Sequence, residues 1–166
     1  MRSKTRKGSS WEPIIPRWKD ASTHSSESRS GLPMRRFVIL EHARDGIHWD
    51  VMVEVEPGGD LRTWTIDAEP CPGRDLPARA LPDHRRAYLT FEGEISGNRG
   101  TVRRWDEGTC EVEAWEPGLV RLVLDGRQLL GLVELVSISG EGSASGAGGG
   151  STSDWTFRGG KLRFKS

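Results

Sequence analysis

From Arg36 onward the chain is built of short runs rich in Val, Ile, Leu, Thr and Trp: RFVILEH, IHWDVMVEV, LRTWTI, AYLTFEG, GTVRRW, CEVEAW, LVRLVL, LLGLVELVSI and DWTFR. Between them stand ARDG, EPGGD, SGNR, DEG, EPG and DGR, which supply the Gly, Pro, Asn and Asp that tight reversals need. No run keeps the 3.6-residue apolar period of an amphipathic helix, and the two-residue period belongs to half-buried strands. Nine such runs in about 120 residues predict an all-β meander that closes into a barrel or packs as a sandwich. The small closed antiparallel β-barrel is the expectation.

At 166 residues and 34% hydrophobic the chain has apolar material for one core, and division into two domains would leave each marginal. Residues 1–34 carry Gly, Ser, Thr, Pro and charges with no sustained period, as expected of a disordered basic tail. The β domain is expected over residues 35–160, with GEGSASGAGGGSTS at 140–153 as a flexible loop and residues 161–166 as a short basic tail. Cys71 and Cys110 match no metal-binding spacing and are too few for a disulfide framework, so a reducing cytoplasm is the expected setting. No stretch approaches the roughly 20 apolar residues of a membrane span, and no membrane partner is expected.

The formal charge of zero is unevenly spread. Residues 1–36 hold nine Lys or Arg against three acids, residues 152–166 four against one, and residues 37–151 eleven against twenty. Every lysine lies in the ends. Basic ends can hold a polyanion such as nucleic acid by counterion release, and they equally serve as solubilising tails.

The densest chemistry lies in EHARDGIHWD, residues 41–50. In IHWDVMVEV alternation sends His48 and Asp50 to one face, continued by Met52 and Glu54, and Trp49 and Val51 to the other. The turn ARDG folds His42 back beside them. Two imidazoles and a carboxylate so placed suit a divalent transition metal such as Mn²⁺, Zn²⁺ or Fe²⁺ with positions left open for water and substrate. Spacing alone is equally compatible with a hydrogen-bonded surface cluster.

Taken in series, FVILEHARDGIHWDVMVEV, LRTWTI, DHRRAYLTFEG, GTVRRWDEGT and LVRLVLDGRQLLGLVEL resemble the 3′-phosphoesterase module of bacterial DNA ligase D, which also occurs alone. The shared pattern is a strand ending in His, a short turn, His-aromatic-Asp, then Asp-His, a Tyr four residues on, and Phe-Glu-Gly. It spans residues 36 to about 158. The resemblance implies a β-barrel around a polar cavity that holds a divalent metal, usually Mn²⁺ and otherwise Zn²⁺ or Co²⁺. It further implies trimming of DNA primer 3′ ends, by removal of a terminal ribonucleoside or a 3′ phosphate, to leave a 3′ hydroxyl for repair by end joining. His42, His48 and Asp50 are the implied metal ligands. His84 is implied to touch the scissile phosphate and move or stabilise charge, with Tyr88 hydrogen bonding nearby.

Three departures accompany the match. Met52 stands where the family has an arginine, Asp67 and Glu69 stand where a lysine is expected, and residues 1–35 have no counterpart of the family's N-terminal Arg-Asp pair and later acid. Arg85 or Arg86, beside His84, is the candidate replacement cation, because a guanidinium fork suits phosphate oxygens. Two other readings stand beside the phosphoesterase: an end-binding module without turnover, and a metal-dependent small-molecule hydrolase or oxygenase. No nucleotidyl-transfer lysine motif is present, so joining would fall to a separate ligase, with a polymerase and an end-binding protein. The expected protein is a monomer in the cytoplasm, associated with the nucleoid through DNA 3′ ends.

Overall fold

Strands that alternate apolar and polar residues must bury one face, and closing the sheet on itself buries that face without leaving edges. The structure, a computed structural model, describes residues 33–138 and 154–166. The basic tail expected over 1–34, save its last two residues, and the Gly/Ser loop expected over 140–153 lie outside the described residues. The strands are β1 (Met34–Ala43), β2 (Ile47–Glu54), β3 (Leu61–Ile66), β4 (Asp75–His84), β5 (Gly93–Glu94), β6 (Thr101–Glu116), β7 (Leu119–Gly126), β8 (Leu129–Ser137) and β9 (Trp155–Phe164). One 3₁₀ turn, Arg86–Leu89, follows β4.

The sheet runs β1-β2-β3-β4-β9-β8-β7-β6, all antiparallel, and β1 pairs again with β6 to close an eight-stranded barrel. The two-residue β5 adds to the other end of β6. The expected all-β barrel is therefore found. Inside, residues from all eight strands form one apolar core that includes Phe37, Ile39, Val51, Trp64, Leu122 and Phe157. The polar cavity that the resemblance implied is not the barrel interior, which these side chains fill. A second, smaller core lies on the outer wall, where Val38, Leu40, Met52 and Leu61 are covered by Leu89, Ile95 and Val102, with Tyr88 against it.

Several elements differ from expectation. AYLTFEG is not a strand: Tyr88 N–H bonds to the Arg85 carbonyl and Phe91 N–H to the Ala87 carbonyl, a tight turn that presses Leu89 onto the outer wall. GTVRRW and CEVEAW are one continuous strand, β6, because DEG does not reverse the chain. Ile39 pairs with Asp106 and Leu40 with Arg104, so Trp105 is an extra residue in a bulge. Gly108 lets the β7 backbone approach where a Cβ would strike the Asp125 carbonyl. The strand β4 went unread because Pro77 and Pro82 demote a strand. Its bulge against β3, where Leu61 pairs with His84 and Thr63 with Leu81, accommodates Pro82 without a missing ladder bond. Finally, β9 runs to Phe164, so residues 161–164 are strand and not the expected tail. Among the described residues no helix is long and apolar enough to cross a membrane.

Candidate metal centre on the outer wall

The hairpin β1–β2 reverses through Arg44, Asp45 and Gly46, and its register sets His42 directly opposite His48 and Leu40 opposite Asp50. Paired residues share a face, so His42, His48 and Asp50 lie together on the outside of the barrel, beside the smaller core. Trp49 and Val51 take the opposite face, as the alternation predicted, and that face is the barrel interior. The imidazole rings are 4.6 Å apart between centroids and tilted by 59°. His42 Nδ1 is 3.3 Å from Asp50 Oδ2, and His48 Nε2 is 3.7 Å from Asp50 Oδ1. One ligand atom from each residue falls within 4.8 Å of the other two. Ligands held roughly 2.1 Å from a common ion stand about 3 to 3.5 Å apart, so the set closes on an ion with small side-chain movements.

Two further observations fit a cation. Asp50 is 4% exposed, yet its Oδ1 has no hydrogen-bond donor among the described residues; Thr65, opposite it on β3, has a buried hydroxyl in the same condition. Leaving a buried carboxylate oxygen unpaired is costly. His42 Nε2 is 2.7 Å from the Arg99 carbonyl, an acceptor, so that nitrogen carries a proton, and Nδ1, facing Asp50, is left to take up a second proton or a metal ion. Metal-bound histidines characteristically donate their second N–H in this way, which fixes tautomer and ring orientation.

The contact with Asp50 raises the pKa of His42 above the usual histidine range, while burial lowers that of His48. The carboxylate favours a proton on His42, while for His48 burial outweighs the same carboxylate's attraction. A divalent ion held by His42, His48 and Asp50 would supply two charges where the proton supplies one.

The carbonyl that holds His42 is set by Gly100. Its φ is +88°, and a Cβ there would run into the Ala43 carbonyl oxygen. Glycine is required for β6 to begin so close to the end of β1.

The remaining candidates form a second group. His84 ends β4, where its Nδ1 is 2.9 Å from the Pro82 carbonyl and its ring meets Tyr88 edge-on at 5.3 Å; Tyr88 meets Phe91 at 5.8 Å. The register sets His84 opposite Leu61, and Leu61 opposite Glu54. That row lies four residues along β2 from Asp50, about 13 Å at the usual strand rise of ~3.3 Å. The structure therefore gathers His42, His48 and Asp50 at one point and places His84 with Tyr88 further along the same wall. The row between them holds Met52, 1% exposed in the smaller core, where the family's arginine would stand.

Arg86 bonds Glu54 at 3.2 Å, a buried carboxylate that also accepts the Arg36 and Gly58 N–H groups. Arg85 is exposed and has no carboxylate partner among the described residues, which makes it the more available of the two arginines proposed near His84. Asp67 is exposed and contributes to the field at His48, while Glu69 accepts the Trp105 indole N–H at 3.0 Å.

Sequence reading missed two contributors. Arg79 pairs with Thr65, which pairs with Asp50, so a cation lies in the carboxylate's row; only the strand register reveals it. The Arg99 carbonyl is a backbone group that side-chain identity does not signal, although GNRG, with glycine before and after, marks a turn of unusual conformation.

The family described as the DNA ligase D 3′-phosphoesterase domain matches residues 40–137, which contain His42, His48, Asp50, His84 and Tyr88, and the chain belongs to that family. Membership makes it a phosphoester hydrolase by class. No curated protein matches the chain.

Proposed function

We propose that the protein is a divalent-metal-dependent 3′-end-processing phosphoesterase of DNA, removing a 3′ phosphate, or a 3′-terminal ribonucleoside and then the 3′ phosphate this leaves, to give a 3′ hydroxyl. The observation that carries this reading is the buried Asp50, with an oxygen that has no donor among the described residues, between two imidazoles of which one is oriented by a backbone carbonyl. Mn²⁺ is the ion we favour, with Zn²⁺ or Co²⁺ as alternatives. When bound by His42, His48 and Asp50, such an ion would polarise phosphoryl oxygens and lower the pKa of a water.

The chain's own residues supply positioning and proton handling. Each hydrolysis adds one water across a P–O bond, a ribonucleoside end requiring two in succession, and each departing oxygen must gain a proton. His84, whose Nδ1 donates to the Pro82 carbonyl, keeps Nε2 for that exchange, and Tyr88 braces its ring. Arg85 offers the guanidinium that Met52 cannot. We place this activity in end joining, with DNA 3′ ends as substrate and a separate ligase, polymerase and end-binding protein as partners.

A second reading, an end-binding module without turnover, is favoured by one observation: an apolar cluster around Met52 replaces a phosphate clamp. Primer-template DNA, 5′-labelled and ending in a 3′ phosphate or one 3′ ribonucleotide, separates the two. Conversion to a 3′ hydroxyl that requires both Mn²⁺ and His42 supports the enzyme. Tight binding to ends without conversion supports the binding module.

A further inference from the structure

Between the 3₁₀ turn and the loop that leads into β6 lies a cavity of about 220 Å³, lined by Arg85, Tyr88, Phe91, Ile95, Ser96 and Arg99 among others. Small-molecule sites usually span ~300–1,000 Å³, so this one suits a single ring system and not a length of chain. Its floor is Ile95, part of the smaller core, and its wall carries two aromatic rings, of which Phe91 is 38% exposed. An aromatic face open to solvent beside a phosphoryl-transfer site offers stacking to any base, whatever its identity.

The charge pattern is selective. Five arginines lie between residues 85 and 104. Arg86 is paired with Glu54, Arg103 with Glu41, and Arg104 with Glu92 and Glu107. The other two, Arg85 and Arg99, both line the cavity together with one acid, Glu94, and neither arginine is paired with it or with another carboxylate among the described residues. The Arg99 guanidinium is instead held by Ser96, its Nε donating to the carbonyl at 2.8 Å and one terminal nitrogen to the hydroxyl at 3.4 Å. A positioned fork of this kind presents its remaining N–H groups to an anion. The same residue's carbonyl holds His42, so the cavity and the metal centre share a wall.

We infer that this cavity is the subsite for the nucleoside leaving the 3′ end, the base lying against Phe91 and Tyr88 and the scissile phosphate and its upstream neighbour drawn by Arg85 and Arg99. This rests on the phosphoesterase reading and adds a specificity to it. A primer ending in a ribonucleoside uses the subsite, whereas a primer ending in a 3′ phosphate has no base beyond the scissile bond to place there. Preference between the two ends is then set by a wall of the cavity and not by the metal.

The test measures kcat/KM for both ends with wild-type protein, Phe91→Ala and Ser96→Trp in Mn²⁺. Stacking of one base is worth a factor of roughly 5 to 150, so Phe91→Ala is expected to lower the ribonucleoside-to-phosphate ratio about tenfold. Ser96→Trp, on an exposed loop, fills the cavity from the opposite side and is expected to lower the same ratio, which keeps the test decisive if Phe91→Ala does not fold. An unchanged ratio in the folded variants overturns the subsite while leaving the phosphoesterase standing. Absence of conversion of either end by the wild type overturns the phosphoesterase reading, and the subsite with it.

Discussion

Asp106 and Asp50 are both buried carboxylates, 1% and 4% exposed, and they differ in what meets them. Asp106 accepts four backbone N–H groups: Glu107, Arg127 and Gln128 on Oδ1 at 2.8 to 2.9 Å, and Leu129 on Oδ2 at 3.0 Å. It stitches the β7–β8 turn to the bulge in β6, and its charge is fully answered by the protein. Asp50 faces two imidazoles and keeps an oxygen that the described residues do not satisfy. A carboxylate answered by the backbone holds a fold together, and one that faces imidazoles and keeps an unpaired oxygen is a place for a cation.

Replacing each acid should break the molecule differently. Asp106→Ala strands four backbone donors, and a loss of about 3 to 5 kcal/mol is expected in denaturant unfolding, since each unpaired buried group costs ~1 to 3 kcal/mol. Asp50→Asn should change metal-free stability by no more than about 1 kcal/mol while weakening Mn²⁺ binding at least ~100-fold by calorimetry, because a charged ligand is lost. If Asp50→Asn unfolded the protein as readily as Asp106→Ala, both acids would be structural and the contrast would vanish.

The smaller effects sharpen the same contrast. Gly100→Ala forces a side chain into the Ala43 carbonyl and shifts the Arg99 carbonyl from His42. A loss of metal affinity of about 10-fold is expected, at the low end of what disturbed partners of metal ligands cost. Smallest is the pH effect in metal-free protein. Protonated His42 is stabilised by Asp50, so its contribution is complete below the ordinary histidine value of ~6.5 and is lost as pH rises through its raised folded value. His48, lowered by burial, opposes folding once pH falls below ~6.5. NMR titration should show the His42 midpoint above that of His48, and Asp50→Asn should bring the two together with a change in stability under about 1 kcal/mol. Equal midpoints in the wild type would mean that the carboxylate does not distinguish them.

Legibility in the sequence followed the range of the interactions. Alternation in IHWDVMVEV sufficed to put His48 and Asp50 on one face, and the ARDG turn to return His42 to it, because these depend on neighbours in the chain. The barrel was equally readable from nine short runs. What the pattern does not carry is which face becomes the inside: the resemblance implied a polar cavity within, whereas Trp49, Val51 and Val53 turn inward and the histidines stand on the wall. DEG looked like a reversal, yet Gly108 serves close approach to β7 and Asp106 captures a turn about 20 residues away. Arg79 and the Arg99 carbonyl reach the site only through strand register and a backbone oxygen, neither of which leaves a mark in side-chain order.

The most direct test of the central claim is Mn²⁺ titration of the purified protein, read by the loss of free-ion electron paramagnetic resonance signal, beside His42→Ala and His48→Ala. One ion per chain, lost or strongly weakened in both variants while their folds persist, is the predicted result. Binding that neither substitution affects, or no binding by the wild type, would contradict a metal centre at His42, His48 and Asp50.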